Sequence, residues 1–408
     1  VALATLVAAC SPQQTQDTTP TPESTTTSLA EKISDTSTTT TEPPTTTQTP
    51  IAPIDVGGTV DRALAATLSE ALTAINDPRA EGPVLDGLVA AMAPIRGSLA
   101  GSYEADLAAA DLPSGDRIGV VRLDSDDVLL VADEGSGWVV VGADLSSVDA
   151  DPWYGESPRR VLVLGSDARP GGDAKVHRMD SIHILTTVPE QEAGTILGYP
   201  RDSWVNTEYG SMRLNALTSS GRGPDAILDH FTEAWELPLE GYILTGFAGF
   251  EDLIAATIGR LEITIPIPIP RQKEFPGFRS GDQTLNPDRT LDFSRTRKLI
   301  PGGDFTRSFH HGVVMLATLT MLQRGTVDDV PMLLEALSRF TDTNLTASDL
   351  IQLGAAAMEM DIAQITNEVL PGSLGRAGGG QSVVLLDPSY EGIVADVIDD
   401  GLRNNSQG

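Results

Sequence analysis

Val161-Leu162-Val163-Leu164-Gly165-Ser166-Asp167-Ala168-Arg169 decides how this chain folds. The unbroken apolar run reads as a strand covered on both faces. Gly165-Ser166 ends it so that Asp167 and Arg169 leave its C-terminal end, where α/β proteins commonly carry their sites. Downstream, apolar strands are predicted at Ile182–Thr187, Gly194–Gly198, Tyr242–Thr245 and Leu261–Ile267. Helical periodicity alternates with them at Pro224–Trp235, Phe247–Ile258, Asp288–Arg295, Phe305–Gln323, Val327–Phe340 and Ala347–Met358. Strands at Ile365–Val369 and Val383–Leu386 and a helix from Tyr390 to about Leu402 close the pattern. Such alternation predicts a mixed α/β domain built in three layers, α-β-α, over residues 159–402, with a short disordered tail at 403–408.

Upstream of Arg159 the pattern differs. Residues 61 to 111 have helical periodicity, broken near Asn76-Asp77-Pro78, and read as two helices. Ile118–Leu123, Val128–Val131 and Trp138–Val141 follow as a small antiparallel meander. Nothing in 56–158 suggests catalysis, so this stretch is expected to be an accessory layer. Residues 11–55 are rich in Thr, Ser and Pro and cannot bury enough apolar surface to fold, which suits a flexible tether. Residues 1–10 end in Val7-Ala8-Ala9-Cys10, similar to the lipobox of bacterial lipoproteins, and Cys10 would then be the acylated residue that anchors the chain to a membrane. No other stretch is long and apolar enough to span a bilayer.

The full chain has 408 residues and a formal net charge of -30. So acidic a surface argues against nucleic acid as a partner, since backbone phosphates need a basic surface that releases counterions. A lone cysteine excludes an internal disulfide framework and any cysteine-rich metal site.

Against that acidity, arginines recur beside aspartates: Asp167 with Arg169, Arg178-Met179-Asp180, Pro200-Arg201-Asp202, Arg295-Thr296-Arg297 and Asp304-Phe305-Thr306-Arg307. Aspartates can hold a hard divalent cation through oxygen and guanidinium forks can clamp anionic oxygens, so the set has the chemistry of a phosphate site. Singly, each has a plainer reading: a turn or helix cap for Asp167, a weak surface ion pair for Arg201-Asp202. Asp202 would otherwise orient an arginine or hold a metal-bound water. Asp180 faces Asp167 only if the Pro170-Gly171-Gly172-Asp173 loop folds back. Arg295 and Arg297 cannot share one helical face, which predicts a loop beginning near Arg295. Asp304 suits the N-cap of a long helix.

Taken in this order, the motifs resemble the LytR-CpsA-Psr family of bacterial cell-wall enzymes, from about Arg159 to His311 and more loosely through Thr346–Ile398. The resemblance implies a family-type catalytic domain that transfers a phosphorylated glycan from a polyprenyl-pyrophosphate carrier to a peptidoglycan hydroxyl, outside the cytoplasmic membrane. It implies Mg²⁺ (or Mn²⁺) at Asp167 and Asp180. Arg169, Arg201, Arg295, Arg297 and Arg307 match the pyrophosphate-contacting arginines, and Asp202 and Asp304 match acids of the same pocket. Asn215 matches a further family position and is taken as substrate-binding. The family buries its polyprenyl chain in an apolar tunnel, so Phe247, Phe250 and Ile254 are candidates to line it. The apolar Val313–Leu322 run is a further candidate, although burial in the core is its ordinary meaning.

One departure stands out. Ser308-Phe309-His310-His311 follows Arg307 where the family often has a further arginine and glutamines. His310 either replaces a phosphate contact or packs the start of the helix. Two other functions remain open at this point: a pyrophosphatase using the same pocket with water as acceptor, and a non-catalytic binder of lipid pyrophosphates.

Overall fold

The structure is a computed structural model that describes residues 52–403. Cys10, the tether through residue 51 and the tail from 404 lie outside the described residues.

The chain opens with a five-stranded sheet in sequential order, β1 (Asp55–Gly58), β2 (Ser102–Asp111), β3 (Arg117–Leu123), β4 (Val128–Asp133) and β5 (Val139–Asp144). β1 runs parallel to β2 and the other neighbours are antiparallel. The meander is therefore present, as the inner part of a larger sheet. Helix α1 (Arg62–Asn76) is capped by Asp61, whose carboxylate accepts from the Ala63 and Leu64 N–H groups. Its Leu64, Leu68, Leu72 and Ile75, at helical spacing, are buried against one face of the sheet. α2 (Asp86–Ala91) follows.

The helical reading of 61–111 fails at its end: Ser102–Asp111 is strand. Alanines favour a helix locally, but β1 and β3 on either side satisfy this segment's backbone, and Tyr103 and Ala105 alternate inward to the core.

The main sheet is six-stranded, with strands β6 (Arg159–Ser166), β7 (Met179–Val188), β8 (Ala193–Gly198), β11 (Gly241–Thr245), β14 (Asp342–Thr343) and β15 (Ile365–Val369). Their order is β14-β11-β6-β7-β8-β15. β6 runs parallel to β11 and antiparallel to β7. One face, through Leu162, Leu164, Ile182 and Ile184, is covered by α3 (Asp225–Trp235) and α9 (Tyr390–Asp399). α6 (Asp304–Leu322) and α8 (Ala347–Glu359) lie on the other, with α7 (Val330–Phe340) packed on α8. This is the expected three-layer mixed α/β arrangement.

α7 and α8 have a second partner. Val330, Leu334, Leu350, Ile351 and Ala355 share a core with Ile118, Val120, Leu130 and Val141 of the first sheet.

Of the smaller hairpins, β9 (Trp204–Thr207) with β10 (Gly210–Arg213) escaped the sequence reading, while the expected strands β12 (Leu261–Ile265) and β17 (Gln381–Leu386) are present and pair with β13 (Gly281–Leu285) and β16 (Gly372–Ala377), which were not expected. β12 stops at Ile265, where prolines interrupt the ladder, as proline's missing N–H requires. α4 (Phe247–Thr257) and α5 (Pro287–Arg295) complete the side of the molecule that faces β12 and α6.

Candidate active site

β6 and β7 are antiparallel, so the loop between them does fold back, and the Asp167 N–H donates to the Arg178 carbonyl at 3.0 Å. The pairing slips between Gly165, opposite Ser181, and Ser166, opposite Met179, which leaves Asp180 as the extra residue of a bulge. A bulge re-aims the side chain it carries. The Asp180 carboxylate is held in an ion pair by Arg201 Nη1 and lies 3.8 Å from Arg307 Nη1, while its carbonyl accepts from Arg307 Nη2 at 3.2 Å.

Arg201 comes from the turn after β8, and Arg307 from the first turn of α6. Between them stands Asp304, whose Oδ1 is 2.6 Å from Arg307 Nη2 and 3.7 Å from Arg201 Nε. Asp304 was expected to cap α6. The cap position belongs instead to Gly303, at φ 57°, and the Asp304 carboxylate turns to the arginines. Burial raises the Asp304 carboxyl above its usual range, opposed by Arg307 and Arg201, and burial lowers the Arg307 guanidinium. Two donors of this cluster, Arg201 Nε and Arg307 Nε, are buried and lack a hydrogen-bond partner.

Asp202 faces a different set. Its Oδ1 accepts from Asn215 Nδ2 at 3.1 Å and lies 3.4 Å from Arg213 Nη1. The Asn215 N–H also donates to the Arg201 carbonyl at 2.9 Å, and Asn215 is buried. Asn215 therefore braces the Arg201-Asp202 turn, and Arg213 joins the site as a residue that sequence reasoning left without a role.

α5 ends at Arg295, as the spacing predicts, with Thr296 as its C-cap. Arg295 and Arg297 are exposed. Arg295 lies over the Phe247 ring at 4.1 Å, and Arg297 is near enough to act on the charges of Asp304 and Arg307. Arg169 stands apart from the ion-pair cluster, lining a cavity of about 340 Å³ with the Gly171-Gly172 loop, Gly246 and Arg339. The Asp167 Oδ1 accepts from the Arg178 N–H at 3.1 Å and is 3.5 Å from His177 Nδ1. Phe250 packs, half-buried, against the core formed by β12, β13, α5 and α6, together with Val313, Ala317 and Met321. Much of the apolar run of α6 is only half-buried; Val314 is buried.

His310 is fully buried and stacks on Phe293 at 4.4 Å, and neither ring nitrogen has a hydrogen-bond partner. It packs the helix and does not join the ion-pair cluster. Beneath Arg307, His183 is also fully buried, a residue that a lone histidine in an apolar strand did not announce. Its Nε2 donates to the Ser308 carbonyl at 3.0 Å, which leaves Nδ1 to accept from Ser181 Oγ at 3.0 Å.

Fold and site together define a three-layer α/β protein with a cluster of paired arginines and aspartates at one end of its central sheet. The LytR_cpsA_psr family matches residues 144–393, more than half of the chain, and the chain belongs to that family. It is 24% identical over 230 residues to the polyisoprenyl-teichoic acid–peptidoglycan teichoic acid transferase TagV of Bacillus subtilis (strain 168), covering 53% of this chain and 58% of that protein. It is 27% identical over 199 residues to TagU of the same description from Bacillus cereus (strain AH820), covering 48% of this chain and 63% of that protein. The match thus spans less than two thirds of either relative's length. The crystal structure of B. subtilis TagV shares the fold, with a TM-score of 0.52 and 21% identity over 61% of this chain and 98% of that one.

Proposed function

We propose that this chain is an extracytoplasmic phosphotransferase that moves a phosphorylated glycopolymer from a polyprenyl-pyrophosphate carrier to a peptidoglycan hydroxyl. The observation that carries this reading is that Arg201 Nε and Arg307 Nε are buried without a hydrogen bond, the nearest carboxylate oxygen to Arg201 Nε, Asp304 Oδ1, lying 3.7 Å away. Buried donors are nearly always satisfied, and a pyrophosphate oxygen is the partner these fit. Arg297 adds an exposed guanidinium group to the same neighbourhood, and Arg295, two residues before it, lies over Phe247.

In the reaction, the acceptor hydroxyl oxygen bonds to the glycan-side phosphorus, the bridging P–O bond breaks, and polyprenyl phosphate leaves. The hydroxyl proton passes to a carboxylate of the site. Arginines fixed before reaction stabilise charge as it develops on the phosphate oxygens. The half-buried apolar residues of α6 with Phe247 and Phe250 suit the prenyl chain.

Asp167 and Asp180 offer oxygen donors at the same end of the β6–β7 pair, the donor type that Mg²⁺ or Mn²⁺ prefers. Among the described residues no group of three His, Cys, Asp or Glu is arranged to hold a metal. A cation here would take its remaining oxygens from phosphate and water, and it would neutralise charge on the pyrophosphate. Calorimetric titration of Mg²⁺ into wild type and Asp167→Ala tests this: equal binding by both would remove Asp167 from the metal site.

Membrane attachment through acylated Cys10 belongs to the same proposal. Cys10→Ala should release the protein from membranes, and unchanged retention would exclude a lipobox.

The central test is transfer itself. Arg201→Ala and Arg297→Ala should each abolish glycopolymer transfer with the fold intact by circular dichroism; full activity in both sinks the proposal. Product analysis separates it from hydrolysis, since a pyrophosphatase releases free glycan phosphate. Tight carrier binding without turnover on the native donor would indicate a binder instead.

A further inference from the structure

The chain carries 57 acidic against 27 Lys and Arg residues, yet one open cavity of about 680 Å³ inverts that balance. Lys273, Arg295, Arg297 and Lys298 line it, with Glu274 as its only carboxylate. All four cations are exposed, and among the described residues none has a carboxylate within ion-pair distance. Elsewhere some exposed arginines are paired, as Arg324 is with Glu262 and Arg339 with Glu335, while among the described residues Arg260, Arg271 and Arg279 are exposed with no carboxylate within ion-pair distance; what sets this cavity apart is that four cations share one lining.

Lys273 is held there by the backbone. It sits at φ 41°, a left-handed conformation that lysine rarely adopts, in a tight turn closed by reciprocal hydrogen bonds between Gln272 and Phe275 at 2.9 and 2.7 Å. Phe275 anchors the turn against Phe278.

Pyrophosphate accounts for only part of this charge. Its diester carries one negative charge per phosphorus, which the arginines already placed at the proposed pyrophosphate site, Arg201, Arg307 and Arg297, suffice to balance. Lys273 and Lys298 are left over.

We propose that Lys273 and Lys298, with the exposed arginines beside them, form a docking surface for anionic phospholipid headgroups. An acidic protein is repelled by an anionic membrane on most of its surface, so one uncompensated cationic face fixes which side turns to the bilayer. That face adjoins the proposed pyrophosphate site at Arg297, and a carrier whose prenyl chain lies in the bilayer is reached from the side that turns to the membrane. This orientation rests on the proposed function and acts in addition to any lipid on Cys10.

The test uses the full-length chain with Cys10→Ala, so that no acyl chain contributes. Its partition onto vesicles of phosphatidylcholine alone is compared with vesicles that also contain phosphatidylglycerol. The expected result is binding to the anionic vesicles only, lost at high salt. Lys273→Asn with Lys298→Gln should weaken it roughly 30-fold. Asparagine tolerates the left-handed backbone, and Lys273→Arg with Lys298→Arg should retain binding, which separates loss of charge from misfolding. Turnover of a detergent-soluble, short-prenyl donor should stay within about twofold, since exposed charges away from the reacting atoms contribute little to it.

Equal partition onto both kinds of vesicle, or unchanged partition of the neutralised variant, would overturn the proposal. So would a matching loss of turnover on the soluble donor, or competition by soluble glycerol phosphate oligomers as strong as by lipid, either of which would assign the lysines to the glycan. Partition is measured without catalysis, so an inactive parent protein would count against the proposed function alone.

Discussion

Asn215 donates its side-chain amide to Asp202 Oδ1 at 3.1 Å and its backbone N–H to the Arg201 carbonyl at 2.9 Å, holding both residues of the Arg201-Asp202 turn from one buried position. Asn215→Ala removes the first bond and lets the turn relax. We expect a loss of about 0.5–1.5 kcal/mol in stability, the net worth of one hydrogen bond to the half-buried Asp202, which keeps Arg213, and roughly a hundredfold drop in turnover as Arg201 shifts. Thermal unfolding and steady-state kinetics check both. Wild-type kinetics in a folded Asn215→Ala protein would show that the brace is dispensable.

Gly198 ends β8 where α6 passes closest. A Cβ built on it would stand 2.6 Å from Ser308 Oγ and 3.2 Å from His183 Nε2. Gly198→Ala must therefore turn the Ser308 hydroxyl away from His183 or push back the first turns of the helix that carries Asp304 and Arg307. Overpacking of this kind costs about 1–3 kcal/mol, and a displaced Arg307 should lower turnover as well. Unfolding and transfer assays report the two effects separately.

Buried histidines set a pH dependence. Burial lowers His183 to about 4, with the nearby Arg307 adding to the effect and the Ser308 carbonyl opposing it; burial alone lowers His310 to about 4. His311 is also lowered, by burial first and then by His183 and Arg307. In the unfolded chain these rings bind protons near pH 6.5. Between that pH and about 4 the unfolded state thus holds more protons than the native one, and stability falls as pH falls. For one such group the full effect is on the order of 3 kcal/mol. Melting temperature should fall from pH 6.5 downward, and His310→Phe should flatten the decline; an equal slope in that variant would exclude His310 as a contributor.

Some of this was legible in the sequence and some was not, for identifiable reasons. β6, β7 and β8 are covered on both faces, so their apolar runs stand out without tertiary information, and α5 ends where the Arg295-Thr296-Arg297 spacing says it must. β2 was hidden because its alanines favour helix, and its strand form depends on β1 and β3. β13 and β16 are short, largely polar or glycine-containing pieces whose only partner is one other strand. The order of arginine and aspartate motifs pointed to a phosphate site, but pairings such as Asp304 with Arg307 depend on helix-cap geometry that composition does not reveal. His183 gave no signal because its role depends on the Ser308 carbonyl, 125 residues away.

The five-stranded N-terminal sheet carries no site residue, yet it is tied into the α/β layer. Ile118, Val120, Leu130 and Val141 pack with Val330, Leu334, Leu350 and Ile351 of α7 and α8. Polar contacts cross the same boundary: Gln352 Nε2 donates to the Val141 carbonyl at 2.5 Å, and Ser348 Oγ donates to Glu134 Oε1 at 2.9 Å. Removing the sheet would uncover four large apolar side chains on α7 and α8, at roughly 1.5–3 kcal/mol each, a sum comparable to the whole stability of an ordinary domain. A chain beginning at Ser157 should therefore melt at least about 10 °C lower than one beginning at Ala52, or fail to fold. Differential scanning calorimetry on the two decides it. Equal melting temperatures would mean that the α/β layers stand without the sheet, and that its shared core with α7 and α8 contributes nothing to their stability.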